Sequence, residues 1–457
     1  PERADFTGDR LGGLPLIVTG HRRSSSFNLS PFQGNEKELQ PIIPLSYDQE
    51  NLKPYRYQVY LDEQHVSVDF APAKQSAVYN LSFEKGDAPA FIVFNSRNGE
   101  LKWDGKSISG YQHVEAEESD TKVYLYAEAD KAPEKVGALS EGTIQTGKSE
   151  VDGINAAIAL QFPSQVGNVG IRYGVSFIDE EQARKNLERE IKGFDVDAIA
   201  KVAHDAWNEA LGKIEINGGT DDDKQVFYTS LYRCFERPVC ISEDGRYYSA
   251  YDGKVHDDEG SPFYVDDWIW DTYRAAHPLR AIIDRKSEED MINSFIRMTM
   301  ESEEKWMPTF PEITGDSHRM NGNHAVAVIL DGYRKGLRGF DVDSAYMFCR
   351  NALLHKSLLP WTRQPLTDLD MFYHDSLYFP ALNPGESETC PFVDPSERRQ
   401  AVAVTLGHSY DSWCLSELAS ETGHKEDIDL FRRYASAYKN IFNNGTGFFH
   451  PKNSDGK

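Results

Sequence analysis

The stretch Phe263–Leu279, with the sequence FYVDDWIWDTYRAAHPL, concentrates side chains that could bind a sugar. Carboxylates and a guanidinium group hydrogen-bond hydroxyl groups, and an indole ring offers a flat apolar face to a sugar ring. Charged side chains are rarely buried unless they are paired. The residues alone therefore leave two interpretations open: a carbohydrate-binding cleft, or a buried Asp–Arg pair at the start of an aromatic-rich helix.

The composition is that of a globular protein and excludes some classes of partner. The chain has 457 residues, of which 39% are hydrophobic, a formal net charge of −24 and a pI near 5.0. This length favours two or three domains. Nucleic acids and anionic membranes need basic surfaces, so neither is expected as a partner. No apolar run approaches the ~18 residues of a membrane span, and none of the five cysteines forms the CxxC pair of a zinc or redox site.

Residues 1–180 show the period-two alternation of β-strands. Tyr55–Leu61, Val123–Ala127 and Ile171–Phe177 each place apolar side chains on one face. Short alternating strands separated by turns predict an antiparallel β-sandwich. The loop Gly20–Ser26, GHRRSSS, could carry function, although its composition alone favours a polar linker.

The period then changes to that of amphipathic helices. Residues 181–219 are interpreted as a helical linker, and residues 220–457 as paired helices with long aromatic loops at one end. This arrangement predicts an (α/α) barrel with a cleft at the loop-rich end. The helices are too few to close six pairs, so we expect the barrel to be incomplete in this chain, with its C-terminal part missing. Its last helices are predicted at Ser396–Thr405, Ser409–Thr422 and Lys425–Phe442.

Six segments resemble, in order, those of glycoside hydrolase family 92, the calcium-dependent exo-acting α-mannosidases. They are Val175–Leu211, Phe227–Pro238 (FYTSLYRCFERP), Asp252–His256 (DGKVH), Trp270–Leu279 (WDTYRAAHPL), Gly322–Gly336 (GNHAVAVILDGYRKG) and Ser409–Pro451. Each motif alone is modest, but six in the family's order with similar spacing are specific. The resemblance covers nearly the whole chain and is weakest before Pro44.

The resemblance implies a fold, a reaction and a cofactor. The fold is an N-terminal β-sandwich followed by an (α/α)6 barrel. The reaction is removal of terminal α-linked mannose with inversion, in which a carboxylic acid protonates the leaving oxygen and a carboxylate activates water. The cofactor is Ca²⁺, a hard cation that binds oxygen ligands and would order the sugar hydroxyls; its ligands stay unassigned.

Four residues match positions that the resemblance implies are substrate-binding. Trp270 and Asp271 are similar to a Trp-Asp pair that contacts the terminal sugar. Arg274 would orient Asp271 rather than touch the substrate. His324 matches the histidine of a Gly-Asp-His motif whose aspartate is Asn323 here, and a hydrogen-bonded histidine at a helix start is an equally good explanation.

The segment that should carry the general acid departs from the family pattern. The family has a glutamate in Thr-Leu-Glu-Tyr-Ala-Tyr-Asp-Asp-Trp, whereas this chain reads Thr405-Leu-Gly-His-Ser-Tyr-Asp-Ser-Trp413. The glutamate position is Gly407, which can donate no proton. The segment that carries the family's general base would lie beyond Lys457, so no base residue is named.

Three hypotheses follow from Gly407. In the first, another residue supplies the proton; His408 is a weak candidate by its position, and the glutamates of the preceding loop are others, namely Glu386, Glu388 and Glu397. In the second, the leaving group needs no acid, as with a phosphate, and the glycine opens space for it. In the third, the chain binds sugar without hydrolysing it. Activity on a different α-linked sugar is a separate alternative.

The resemblance thus implies a calcium-dependent, inverting, exo-acting glycoside hydrolase that acts on α-mannoside-containing glycans. The resemblance implies export, to the periplasm or the cell surface. The chain opens at Pro1 without a visible leader, which we interpret as a leader already removed.

Overall fold

A computed structural model describes residues 10–19, 25–84, 86–114 and 119–457. Residues 20–24 of the predicted functional loop Gly20–Ser26 lie outside the described residues. The chain divides into two compact units, Pro1–Tyr232 and Arg233–Lys457. The predicted order of an antiparallel β domain before a helical domain is confirmed. That the barrel is incomplete in this chain stays a prediction, as do the domain limits at 180 and 219.

The first unit is built on an antiparallel sheet. Its strands are β1 (Arg10–Leu11), β2 (Leu14–Val18), β3 (Ser25–Gln33), β4 (Leu45–Lys53), β5 (Arg56–Leu61), β6 (Val66–Pro72), β7 (Ser76–Phe83), β8 (Ala90–Trp103), β9 (Ser107–His113), β10 (Lys122–Ala129), β11 (Lys135–Ser140), β12 (Thr143–Gln145), β13 (Glu150–Phe162) and β14 (Asn168–Ser176). They pair in the order β1-β4-β5-β6-β7-β14-β10-β9-β8-β13-β11-β12, with β2 on β3 and β3 on β8.

Period-two alternation explains which strand faces are buried. In β10 the side chains of Val123, Leu125 and Ala127 are buried, while their neighbours face the other side. Two helices, α1 (Glu180–Glu190) and α2 (Val196–Leu211), cover part of the sheet through an apolar cluster. Its buried members are Ala71, Val78, Leu187, Ile191, Val196 and Ala200.

The remaining helices follow in chain order. They are α3 (Asp221–Phe235), α4 (Ile269–Thr272), α5 (Ala276–Ile283), α6 (Arg285–Glu301), α7 (Ala325–Arg334), α8 (Val342–His355), α9 (Asp368–Ser376), α10 (Ala401–Thr422) and α11 (Ile428–Ala435). Short strand pairs lie between them: β15 (Val239–Cys240) with β18 (Tyr264–Val265), β16 (Arg246–Ser249) with β17 (Lys254–Asp257), β19 (Pro311–Glu312) with β20 (Gly315–Asp316), and β21 (Phe442–Asn443) with β22 (Phe448–Phe449). No helix in these described ranges is long and apolar enough to cross a bilayer.

Two of the predicted C-terminal helices form one. The sequence predicts a break between Thr405 and Ser409, but α10 runs unbroken from Ala401 through Gly407 to Thr422. A glycine inside a helix costs only about 1 kcal/mol, which the burial of side chains such as Val404 and Leu415 outweighs. By contrast, the predicted helix Lys425–Phe442 is a short α-helix flanked by 3₁₀ turns.

Candidate functional site

The single turn of α4 presents the predicted Trp-Asp pair. Ile269 is fully buried and anchors the turn, and the amides of Asp271 and Thr272 donate to the carbonyl of Trp268. Because consecutive helical positions lie about 100° apart, the next residues turn outward. Trp270 is half-buried and Asp271 is exposed. The carboxylate at the predicted sugar-binding position is therefore open to solvent.

Arg274 packs on aromatic rings beside this turn. Its guanidinium carbon lies 5.1 Å from the ring centre of Trp270 and 5.1 Å from that of Tyr273. A guanidinium over a ring face is attracted by the ring quadrupole. Arg274 thus links Trp270 to Tyr273, a contact that the sequence prediction of an Asp271-orienting role did not include.

His324 lies against the other side of Tyr273. The two rings stack with their centres 4.2 Å apart. His324 Nδ1 donates to Asp411 Oδ1 over 2.6 Å, and the amide of Asn323 donates to Asp411 Oδ2 over 2.6 Å. Asp411 is 0% exposed. Since a carboxylate only accepts, the bond fixes the proton on Nδ1 and the orientation of the ring.

Gly407 faces the same loop from α10. A Cβ atom built on Gly407 would lie 3.4 Å from Asn321 Oδ1, 3.7 Å from His324 Cε1 and 3.9 Å from Gly322 Cα. A side chain at position 407 would therefore point at the loop 321–324. The structure brings together the predicted substrate residues Trp270, Arg274 and His324 with Gly407, and we name the group Trp270, Tyr273, Arg274, His324 and Asp411 the His324 cluster.

His408 lies in a buried aromatic pocket. Its side chain is 1% exposed, and its ring meets the ring of Tyr373 edge-on at 4.9 Å. Neither ring nitrogen makes a hydrogen bond within the described residues. Burial, together with the nearby His374, lowers the pKa of His408 to about 3. An imidazole that is neutral at physiological pH is a poor proton donor, which disfavours His408 as the acid.

The three loop glutamates differ in their surroundings. Glu388 pairs with Arg399 through two bonds of 2.6 and 2.7 Å, and this contact lowers the pKa of its carboxyl. Glu386 is exposed and accepts from the backbone amide of Asn383, which likewise lowers its pKa. Glu397 accepts from Gln400 Nε2 over 2.5 Å.

Gln400 links Glu397 to the loop beside Gly407. Its Oε1 accepts from Asn321 Nδ2 over 2.6 Å, and the Oδ1 atom of Asn321 lies beside Gly407. Of the three loop glutamates, Glu397 is the one that the described hydrogen bonds join to the wall around Gly407.

The adjacent carboxylates Asp266 and Asp267 point away from solvent. Asp266 accepts from Arg237 Nη1 over 2.7 Å and from the amide of Ile313 over 3.0 Å. Asp267 accepts from His277 Nε2 over 2.8 Å, and Glu288 accepts from His277 Nδ1 over 2.9 Å. We name Asp267, His277 and Glu288 the His277 cluster. The stretch Phe263–Leu279 thus contains buried, paired carboxylates as well as the exposed Asp271; that it binds a sugar stays a prediction.

The His277 cluster holds its charge by mutual contact. Burial alone would lower the pKa of His277, but the charges of Glu288 and Asp267 raise it to about 9. Burial would raise the pKa of Asp267, and the neighbouring His277 instead lowers it. All three side chains are 1% exposed. The cluster is a buried, fully paired element that anchors α5 and α6 behind the site.

The described residues do not assemble a calcium site from side chains alone. Within residues 10–19, 25–84, 86–114 and 119–457, no three or more His, Cys, Asp or Glu side chains converge as metal ligands. Ca²⁺ takes six to eight oxygen ligands, usually with several carboxylates among them. We derive no chemical step through calcium.

Sequence reasoning missed the residues that orient the site. Asp411 and Asn321 stand in segments without a local signal for pairing, and the bond between His324 and Asp411 spans 87 positions. Tyr273 lies inside the opening stretch, but only the fold shows that its ring joins Arg274 to His324.

Two models of one known family match this chain. Residues 182–457 match the model of the glycosyl hydrolase family 92 catalytic domain, and residues 14–176 match that of the family 92 N-terminal domain. An uncharacterized secreted glycosidase of Arthroderma benhamiae is 25% identical over 337 residues, which are 72% of this chain and 37% of the relative.

Solved structures share the fold. A family 92 α-mannosidase of Bacteroides thetaiotaomicron superposes with a TM-score of 0.85 at 22% identity, over 98% of this chain and 61% of that chain. A family 92 inverting mannosidase of the same organism gives 0.83 at 24% identity, over 97% and 62%. This chain therefore spans less than two thirds of the length of the proteins that it resembles.

Proposed function

The chain belongs to glycosyl hydrolase family 92, and from that premise we propose that it removes terminal α-linked mannosyl groups from glycans with inversion. The observation that carries the proposal is the His324 cluster, which lies beside an exposed aspartate at one end and beside position 407 at the other. The mannosidase names of the solved structures support mannose as the sugar.

Each residue of the site has a role in this proposal. Asp271 accepts hydrogen bonds from sugar hydroxyls, because its carboxylate is exposed and can only accept. Trp270 packs against the apolar face of the sugar ring. His324, whose Nδ1 is occupied by Asp411, offers Nε2 to a further hydroxyl. Arg274 packs against the rings of both Trp270 and Tyr273 and so fixes their positions relative to each other.

Gly407 determines which substrates react fastest. Without a carboxylic acid at this position, the leaving oxygen receives no proton from α10. General acid catalysis contributes ~10²–10⁴-fold, so substrates whose leaving group departs unprotonated escape most of this loss. We therefore propose that activated mannosides, including those with a phosphate leaving group, react faster than ordinary disaccharides.

The test compares leaving groups. The protein, with calcium supplied, is incubated with α-mannosyl fluoride, p-nitrophenyl α-mannoside and α-mannobiose. We expect turnover of the first two and at least ~10²-fold less of the third, with β-mannose as the first product by NMR. Asp271→Asn is the control and should lower all three rates. If no activated mannoside is turned over, the mannosidase proposal is wrong.

A glutamate at position 407 should restore the missing proton donor. Gly407→Glu places its Cβ in ordinary van der Waals contact with the Asn321 side chain. We expect α-mannobiose hydrolysis to rise by about 10²-fold or more, with little change for α-mannosyl fluoride, which needs no acid. Gly407→Gln, of matched size without a proton to give, should not show the gain.

Gly407 also favours a second function, which is sugar binding without hydrolysis. A chain that keeps the His324 cluster and lacks the acid can hold a mannosyl group and release it unchanged. Binding of mannose by calorimetry, together with no turnover of α-mannosyl fluoride, would support this function over the first.

We further propose that the protein uses calcium and is exported, to the periplasm or the cell surface. Family membership supports the cation, and the secreted relative supports export. Adding a calcium chelator should abolish turnover, and added calcium should restore it.

A further inference from the structure

The four-residue helix α4 carries Trp270 and Asp271 between two fixed ends. At its start, the side chain of Ile269 is fully buried. At its end, the hydroxyl oxygen of Thr272 lies 2.7 Å from Asp267 Oδ1. A single helical turn is unstable on its own, because its first hydrogen bond fixes several residues at once. Contacts with the rest of the fold therefore hold this turn in place.

The hydroxyl of Thr272 has two acceptors within reach but only one proton. One acceptor is Asp267 Oδ1 at 2.7 Å, and the other is the carbonyl oxygen of Trp268 at 3.1 Å. The Trp268 oxygen already accepts from the amides of Asp271 and Thr272. A hydrogen bond to an ionised carboxylate is stronger than one to a carbonyl, and a carboxylate can only accept. Thr272 therefore donates its proton to Asp267.

Asp267 is a rigid acceptor because its own position is fixed from two sides. Its Oδ2 accepts from His277 Nε2 over 2.8 Å, and its amide donates to the carbonyl of Pro311 over 3.0 Å. His277 in turn donates to Glu288 of α6. The side chains of Asp267, His277 and Glu288 are all buried, and a close-packed interior leaves them little room to move. The end of α4 is thus bonded to the buried His277 cluster.

The residue before Asp267 shows that tertiary contacts set the backbone here. Asp266 has a φ of 58°, in the left-handed region that costs energy for residues other than glycine. Its carboxylate accepts from Arg237 Nη1 and from the amide of Ile313. A backbone in this region persists only where its surroundings hold it. The chain therefore enters α4 in a geometry that long-range contacts impose.

We propose that Thr272 is a positioning residue for the sugar, whose hydrogen bond to Asp267 keeps α4 in the orientation that presents Trp270 and Asp271 to the mannosyl unit. Thr272 acts through the turn and not by contact with the substrate, because its proton is already used. The inference rests on the proposed function, in which Trp270 and Asp271 bind the sugar. A site has to be held within about 0.5 Å of its productive geometry, so a loosened turn weakens binding although both side chains remain.

The first experiment measures KM and kcat of Thr272→Val for p-nitrophenyl α-mannoside, with calcium supplied. We expect KM to rise about tenfold and kcat to change by less than about twofold, since Trp270 and Asp271 contact the sugar before and during the reaction. Thr272→Ser keeps the hydroxyl and should return KM to near the wild-type value. A partly unfolded variant would instead show a lower kcat at an unchanged KM. If KM is unchanged in Thr272→Val, the inference is wrong and the proposed function stands.

The second experiment follows the turn itself, without substrate. The amides of Asp271 and Thr272 donate within the turn, so hydrogen exchange in residues 266–275 reports its opening. We expect exchange of these amides to be about tenfold faster in Thr272→Val, and as in the wild type in Thr272→Ser. Unchanged exchange in Thr272→Val overturns the inference, whichever mannosides are hydrolysed. Faster exchange in a protein whose wild type turns over no mannoside overturns the proposed function and, with it, the role of Thr272 toward the sugar.

The matched control is Thr422→Val. Thr422 is the last residue of α10, as Thr272 is of α4, and its hydroxyl donates to the carbonyl of Leu418, four positions earlier, over 2.8 Å. The same substitution there removes a bond to a backbone carbonyl instead of one to a buried carboxylate. We expect it to leave both KM and the exchange of residues 266–275 unchanged. An equal rise of KM in Thr422→Val would show that the effect is not specific to Thr272, and the inference would fail.

Discussion

Two histidines of the helical unit are equally buried but differ in charge at neutral pH, where one is protonated and the other is neutral. His277 and His408 are each 1% exposed. His277 lies between Asp267 and Glu288, and its pKa is raised to about 9. His408 lies among aromatic rings, and its pKa falls to about 3. Burial sets the cost of a charge, and partners decide whether the side chain keeps it.

The two histidines lie in regions that differ in how completely their polar groups are paired. The His277 cluster is fully paired, so each member is needed by the others. Around His408 and Gly407, the part of the chain that the structure describes leaves three polar atoms without a hydrogen-bond partner, namely His408 Nδ1 and Nε2 and Asn323 Oδ1. Buried polar atoms without partners cost stability rather than add to it. We therefore expect substitutions in the first region to change stability and those in the second to change function.

The largest effect should come from removing the charge that joins the two carboxylates. His277→Ala leaves Asp267 and Glu288 buried without their shared partner. Breaking a buried ion pair in this way costs about 3–5 kcal/mol, measured as the change in the free energy of unfolding in urea. Adding Asp267→Asn and Glu288→Gln should recover part of the loss. If His277→Ala lowers the free energy of unfolding by less than about 1 kcal/mol, His277 does not stabilise the fold through its two carboxylates and differs little from His408.

The next effect is a dependence of stability on pH. A histidine whose pKa is raised on folding contributes stability that is fully present below its unfolded pKa of about 6.5 and is lost as the pH rises through about 9. The shift corresponds to about 3 kcal/mol between these limits. Urea unfolding of the wild type and of His277→Gln, at pH 6 to 9.5, isolates this contribution. A constant difference between the two proteins over this range would contradict it.

The smallest effect on the free energy of unfolding is expected from substituting His408. His408→Leu replaces a neutral, unpartnered imidazole by an apolar side chain that suits its aromatic pocket. We expect the free energy of unfolding to change by about 1 kcal/mol or less, in either direction. Tyr373→Phe, which removes a buried hydroxyl from the ring that packs against His408, is a parallel control. A loss of more than about 2 kcal/mol would show that His408 has a polar partner.

The order of the two units was predictable from the sequence because its signal is local. The alternation at Val123–Ala127 predicts a strand with one buried face, and β10 buries those residues. Family motifs led to Trp270, His324 and Gly407, which the fold brings into one group.

The rest depends on contacts between distant positions. No local pattern pairs Asp267 with His277 and Glu288 rather than with solvent, or joins Glu397 through Gln400 to Asn321. Hydrogen bonding inside the fold decides these charges and orientations. The break predicted near Gly407 failed for the same reason, since tertiary burial outweighed the low helix propensity of glycine.

The unbroken course of α10 has an evolutionary consequence. Position 407 keeps ordinary helical geometry, and side chains elsewhere on the helix hold it in place. Glycine and glutamate codons can differ by a single base. A lineage can therefore lose or regain a carboxylic acid at this position in one step without rebuilding the fold, so the chemistry of the site can change faster than the scaffold that carries it.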